Sequence, residues 1–127
     1  MPGLLRLVHP FPSALNALLV FAIATVAGGP FERCVQLALA MLGIQFCIGA
    51  VNDLFDEALD AQSKPFKPIP AGRVSRRTAW LVAAVSGGGG LLLAGLVNPP
   101  DLVPLVLLTA MLGAGLAYDA FLKPTAF

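Results

Sequence analysis

The sequence predicts an all-α protein, a transmembrane helical bundle of about four spans. Three observations carry that prediction. Hydrophobic residues make up 57% of the 127 and charged residues only 12%, against about 25% charged in an ordinary soluble domain. Mean hydropathy is accordingly high, at +0.84. The apolar residues gather into four segments, each near the roughly 20 residues that cross a bilayer as a helix. The positive charges fall where a chain weaving through a membrane leaves them. This composition disfavours a soluble enzyme and a disordered tail. A net charge of +1 supplies no field to gather a polyanion, so no nucleic-acid partner is expected.

The segments follow in order. The first span is expected at about 12–27, ended by Gly28-Gly29-Pro30. Arg6 precedes it, and no small-residue cleavage site follows a short apolar core, so it reads as an uncleaved span. The second starts near Glu32 and stays apolar to Val51. It then turns acidic with no breaker, so one helix is expected over about 32–60. The third covers about 78–97, ended by Asn98-Pro99-Pro100. Gly87 to Gly90 interrupt its side-chain surface, but glycine permits close packing in lipid, so one span is kept there. The fourth covers about 102–121. Cys34 and Cys47 read as packing residues, as do Met41 and Met111. Asn16 and Gln45 are expected to face the bundle interior. Arg6 and His9 read as interfacial anchors, and Trp80 as a belt residue. His9 is the only histidine, which excludes a histidine-based metal site built by this chain alone.

Seven of the eight positive charges fall on one side of a four-span weave: Arg6, Lys64, Lys67, Arg73, Arg76, Arg77 and Lys123, with Arg33 opposite. The positive-inside rule makes that side cytoplasmic. Both termini and the 61–77 loop are therefore expected on the cytoplasmic face.

Four of the seven acidic residues sit between Asp53 and Asp60. On one continuous helix Asn52, Asp53, Asp56, Glu57 and Asp60 share an arc of roughly 140°. Asn52, Asp56 and Asp60 stack one turn apart, and Gln45 and Gly49 carry the same face inward. Like charges at that spacing repel, so counter-charges are needed. Lys64, Lys67, Arg73, Arg76 and Arg77 follow directly. A solvated juxtamembrane helix would use them as ion-pair partners. A Mg²⁺ site would use the carboxylates as oxygen ligands that bridge to a substrate phosphate. An acidic face beside a basic loop at a membrane surface suits a diphosphate head on a lipid tail. An EF-hand does not fit, because the glycine of its sharp turn is missing.

These residues carry a resemblance. Asn52-Asp53-x-x-Asp56-x-x-x-Asp60 resembles the NDxxDxxxD motif of the UbiA superfamily of membrane prenyltransferases. Lys67-Pro68-Ile69-Pro70-Ala71-Gly72-Arg73 is similar to its RPLPSG-type loop, with Lys67 for arginine and Ala71 for serine. Tyr118 and Lys123 are similar to the Tyr…Lys element after the fourth helix. The resemblance implies the N-terminal half of a larger all-helical fold in a bacterial or archaeal cytoplasmic membrane. It implies Mg²⁺ and an allylic polyprenyl diphosphate, with Asn52, Asp56 and Asp60 as metal ligands. Asn52, Asp53, Lys64, Lys67 and Arg73 would contact substrate. Asp56, Asp60, Tyr118 and Lys123 would be catalytic. An aromatic or quinone-precursor acceptor is favoured, and no protein partner is implied.

The resemblance also implies a second aspartate-rich motif. Asp101 and Asp119 do not form a DxxxD pair. Residues 1–127 are therefore expected to be a partial prenyltransferase domain that does not catalyse transfer alone. Two other readings compete. A CDP-alcohol phosphotransferase-like enzyme also carries aspartates at helical spacing, but its DG step and AR pair are absent here. A non-catalytic membrane scaffold or transporter fragment would lack metal-dependent diphosphate binding.

Overall fold

Proline and glycine set most of the helix boundaries. The computed structural model describes residues 2–97 and 101–123, with no strand among them. Helix α1 spans Pro2–Leu7 and α2 spans Pro10–Val26. Prolines open α2, where their missing N–H costs nothing. Its C-terminal carbonyls are closed by Gly28, at φ 80°, whose N–H donates to Thr25 while that of Gly29 donates to Ala24. Helix α3 spans Phe31–Phe55, with Glu32 in its first turn, where a carboxylate complements the helix dipole. Helix α4 spans Glu57–Ser63, and α5 spans Arg76–Gly95. Ser75 caps α5 by accepting from the Thr78 N–H at 3.0 Å. Helix α6 spans Val103–Ala117 and passes into a π-helical turn, Tyr118–Leu122. The Asn98-Pro99-Pro100 breaker lies outside the described residues.

The bundle is organised around α3, which packs most extensively on α5 and next on α2. Its most apolar window is 44% buried inside the bundle, against 11% for the last helix. The close approach of α3 and α5 depends on small residues. Ala79, Ala83, Gly87, Gly90 and Ala94 form the buried stripe of α5. A Cβ at Gly90 would stand 2.7 Å from the Ala40 carbonyl oxygen, and one at Gly87 would stand 2.9 Å from Cys47 Sγ. Gly88 and Gly89 meet nothing within 4 Å. The four-glycine run is thus continuous helix, as expected, and two of its members set the interhelical distance. Both cysteines are buried and free. Gln36 Nε2 bridges the same pair of helices, donating to the Leu93 carbonyl at 2.8 Å.

Among the described residues, three helical stretches are long and apolar enough to cross a membrane: Phe31–Phe55, Arg76–Gly95 and Val103–Leu122. Helix α2 has 17 residues, at the short end of the spanning range. Large hydrophobic side chains point outward all round, among them Leu18, Ile23, Val85, Leu107 and Phe121. Such an exterior is disfavoured in water and normal in lipid.

One expectation is corrected. The second helix does not continue unbroken to residue 60. It bends at Asp56, whose ψ of −2° ends α3 and starts α4. The bend is inexpensive in hydrogen bonds. The Asp56 N–H still donates to Asn52 at 2.9 Å, and that of Asp60 donates to Asp56 at 2.7 Å. Carboxylates stacked one turn apart repel on a straight helix. The bend instead directs Asp56 and Asp60 to different cations.

Candidate diphosphate site at the acidic end of the bundle

Helices α3 and α4, the 64–75 loop, the start of α2 and the π-helical turn meet at one end of the bundle. The loop reaches this end because its own apolar residues are buried there. Ile69 and Val74 join Leu7, Val51, Leu54 and Ala79 in one core cluster. The Arg73 and Val74 N–H groups both donate to the Pro68 carbonyl, closing the turn that contains Gly72 at φ 67°. That packing fixes the loop beside the acidic helix end.

The polar side chains then sort into three groups. Lys123 Nζ donates to Asn52 Oδ1 at 2.8 Å and pairs with the Asp56 carboxylate. Lys67 Nζ donates to Asp53 Oδ1 at 2.8 Å and to Asp60 Oδ2 at 2.6 Å. Arg76 pairs with Glu57 nearer the surface. The middle group is the most enclosed, since the Asp53 and Asp60 side chains are 1% and 3% exposed. Burying an ionised carboxylate is tolerated only with a partner, and Lys67 serves both. Burial alone would lower the Lys67 pKa, but the hydrogen bonds and charges of Asp53 and Asp60 outweigh it. The ammonium is held above the ordinary lysine range.

His9 is part of this group, which the sequence did not foretell. It precedes α2 in the left-handed conformation, at φ 48° and ψ 63°, a region where histidine is enriched. Its side chain does not cap α2. Nε2 lies 3.1 Å from Asp53 Oδ1, and since a carboxylate only accepts, Nε2 carries the proton. The ring lies over Gly49, where a Cβ would come within 2.9 Å of His9 Cδ2. The inward run of the polar face at Gly49 therefore makes room for His9. The signal available in the sequence was a lone histidine directly before the first span.

The π-helical turn is the second feature that composition could not reveal. Its wider winding, closed by the Lys123 N–H to the Tyr118 carbonyl, turns Lys123 toward Asn52 and Asp56. Such turns recur at functional sites. Tyr118 itself is 48% exposed. Lys64 and Arg73 are also exposed, and neither is joined to the acidic groups among the described residues. Gln45 donates only a long contact to Met41 Sδ. Among the described residues, two buried side-chain oxygens have no hydrogen-bond partner, Asp53 Oδ2 and Asp119 Oδ2. Among the described residues, no three His, Cys, Asp or Glu side chains gather closely enough to cage a metal ion.

At the other end of α3, Arg33 pairs with Asp101. Arg33 and Asp53 are about 30 Å apart along the helix axis at 1.5 Å per residue.

Fold and site together define an all-helical membrane protein with an oxygen-rich, cation-bridged polar end. Its family is established by comparison with known sequences. The UbiA prenyltransferase family model matches residues 13–127, and the chain belongs to that family. It is 32% identical over 128 aligned positions to a digeranylgeranylglyceryl phosphate synthase of Methanoregula boonei, covering 98% of this chain and 44% of the relative. A second such synthase, from Methanopyrus kandleri, is 35% identical over 77% of this chain and 36% of its own length. A protoheme IX farnesyltransferase of Nitrosococcus oceani is 40% identical over 59% of this chain and 25% of its own length. The chain thus spans less than half the length of these curated relatives. No solved structure gives a significant match.

Proposed function

We propose that the acidic end is the diphosphate-binding wall of a Mg²⁺-dependent membrane prenyltransferase. The protein would move a prenyl group from an allylic polyprenyl diphosphate to an acceptor. The observation that carries this reading is the meeting of Lys123 with Asn52 and Asp56, which lie 71 and 67 positions away in the chain. Oxygen ligands and a donor cation thereby share one place, the combination that a metal-bound diphosphate requires. The diphosphate would supply an anion for Lys123, and the ion would supply a cation for the acids.

The residues fit Mg²⁺ by their donor chemistry. The ion prefers oxygen ligands and commonly takes one or two carboxylates together with waters and substrate phosphates. Asn52 and Asp56, which already share one place, would hold it, and Asp60 would join them on leaving Lys67. When bound, the ion would neutralise charge on the departing diphosphate. The chain's own groups supply the rest. Lys123 donates to diphosphate oxygens as negative charge builds on them. Lys64 and Arg73, exposed on the loop, reach the outer phosphate. Lys67 fixes Asp53 and Asp60 in place through its two hydrogen bonds, and Tyr118 stands beside the developing cation. A water-poor apolar surround would let the allylic cation meet the acceptor first. The names of the relatives draw the acceptor away from an aromatic or quinone precursor. They favour a glyceryl phosphate or a protoheme.

The polar end faces the cytoplasm in this reading, since seven of eight positive charges belong to that side. Arg33, the exception, is neutralised by Asp101. Replacing Asp56 and Asp60 together by alanine is expected to abolish prenyl transfer by the protein. Activity that survives the double change would overturn the site assignment. Residues 1–127 contribute one acidic motif, and the purified 127-residue chain is expected to show no transfer. Measurable transfer by that chain would contradict the incomplete-site reading.

A further inference from the structure

Lys123 stands where a divalent ion would have to be. Its Nζ is bonded to Asn52 Oδ1 and paired with the Asp56 carboxylate, the oxygens that such an ion needs. An ammonium and a divalent cation repel at that distance, so the two cannot share those ligands. Lys123 has to leave before the ion is held. Its side chain is only 23% exposed, so a new acceptor must lie close by.

Asp119 meets that condition. It belongs to the same π-helical turn, Tyr118–Leu122, that aims Lys123 at Asn52. It is 5% exposed, and its Oδ2 is enclosed without a hydrogen-bond partner among the described residues. It lies near enough to interact electrostatically with both Lys123 and Asp56. A buried carboxylate oxygen without a donor is costly. The donor it lacks can come from inside the protein, so Oδ2 needs no opening to solvent. Lysine suits the exchange, because its ammonium sits on a flexible four-carbon stem and carries three donors.

We propose that Lys123 has two positions and that Asp119 is the positioning residue that provides the second. In the first, the one in this structure, Nζ joins Asn52 to Asp56 and holds the place of the metal ion. In the second, Nζ donates to Asp119. Asn52 and Asp56 are then free for the ion, and the two remaining N–H donors of Lys123 face the diphosphate. Lys123 and the ion thus compete for the same oxygens, and Asp119 weakens the competitor. The exchange rests on the Mg²⁺-dependent prenyltransferase reading and gives a role to a buried acid which that reading leaves unused.

The test is titration of Mn²⁺, an oxygen-seeking stand-in for Mg²⁺, into the 127-residue chain in maltoside micelles without diphosphate. The electron paramagnetic resonance signal of free Mn²⁺ reports binding. Lys123→Met removes the competitor and is expected to tighten Mn²⁺ about tenfold, the scale of one charge-assisted hydrogen bond. Asp119→Asn, nearly isosteric, is expected to weaken Mn²⁺ about fivefold in the wild-type background, the scale of one ordinary hydrogen bond. In the Lys123→Met background the same change is expected to shift Mn²⁺ affinity by less than about twofold, because no lysine is left to receive. Equal weakening in both backgrounds would overturn the proposal, since Asp119 would then act on the ion directly. Unchanged affinity in Lys123→Met would overturn it independently of any Asp119 variant. Asp56→Ala separates this exchange from the metal site itself. Mn²⁺ binding that is lost in Asp56→Ala but indifferent to Lys123→Met and Asp119→Asn refutes the exchange and leaves the metal site standing. Absence of Mn²⁺ binding in wild type and in Lys123→Met refutes both.

Discussion

Lys67→Met isolates the most enclosed interaction in the polar end. The side chain it removes is 16% exposed and holds two carboxylates that are 1% and 3% exposed. Removing one partner of a buried ion pair costs about 3–5 kcal/mol, because the remaining charge stays buried and uncompensated. His9 still donates to Asp53, so the lower end applies, about 3 kcal/mol. The same substitution in an Asp53→Asn, Asp60→Asn background leaves no buried charge and should cost about 1 kcal/mol or less. The coupling, about 2 kcal/mol, is the quantity of interest. Reversible unfolding by sodium dodecyl sulfate in mixed micelles measures it, with Trp80, the single tryptophan, as the fluorescent reporter. Equal losses in the two backgrounds would refute the argument, because Lys67 would then act by packing and not by charge.

The other predictions concern pH and helix packing. The Lys67 pKa is raised in the folded protein. The unfolded chain therefore loses this proton first, at about pH 10.4. The stabilisation is fully present below that value and falls as pH rises through the higher folded value. Unfolding free energy in the Trp80 assay should decline across this window in wild type and not in Lys67→Met. Gly90→Ala should destabilise by roughly 1–3 kcal/mol, since the new methyl meets the Ala40 carbonyl oxygen at 2.7 Å. Gly88→Ala, with nothing within 4 Å, should be neutral or gain up to about 1 kcal/mol from helix propensity. Equal effects at the two glycines would contradict the crossing described for α3 and α5.

The helices were legible because lipid makes composition speak plainly. Long apolar segments ended by Gly28-Gly29-Pro30 and Asn98-Pro99-Pro100 leave few alternatives. Close packing at the Gly87–Gly90 run followed from residue type, but not that Gly87 and Gly90 alone of the four would carry it. The acidic residues could be located by spacing alone, and the need for counter-charges followed from repulsion. Lys67 and Arg76 were among the loop cations the sequence offered, but which acid each would take could not be read in advance. The bend at Asp56 is a backbone response to crowded charge, and it divides a set that a straight helix keeps together. Lys123 reaches Asn52 because a π-helical turn changes its direction, which no side-chain pattern announces. His9 reaches Asp53 through a left-handed residue between two short segments. The last two depend on tertiary packing across more than 40 residues of chain, where local periodicity carries no information.

The central claim is that the acidic end binds a prenyl diphosphate through Mg²⁺. Calorimetric titration of geranylgeranyl diphosphate into the 127-residue chain, with and without Mg²⁺, tests it most directly. The account predicts saturable binding that requires Mg²⁺, disappears on chelation and is lost in the Asp56→Ala, Asp60→Ala double variant. Absence of binding, or binding that is indifferent to Mg²⁺ and unchanged in that variant, would contradict it.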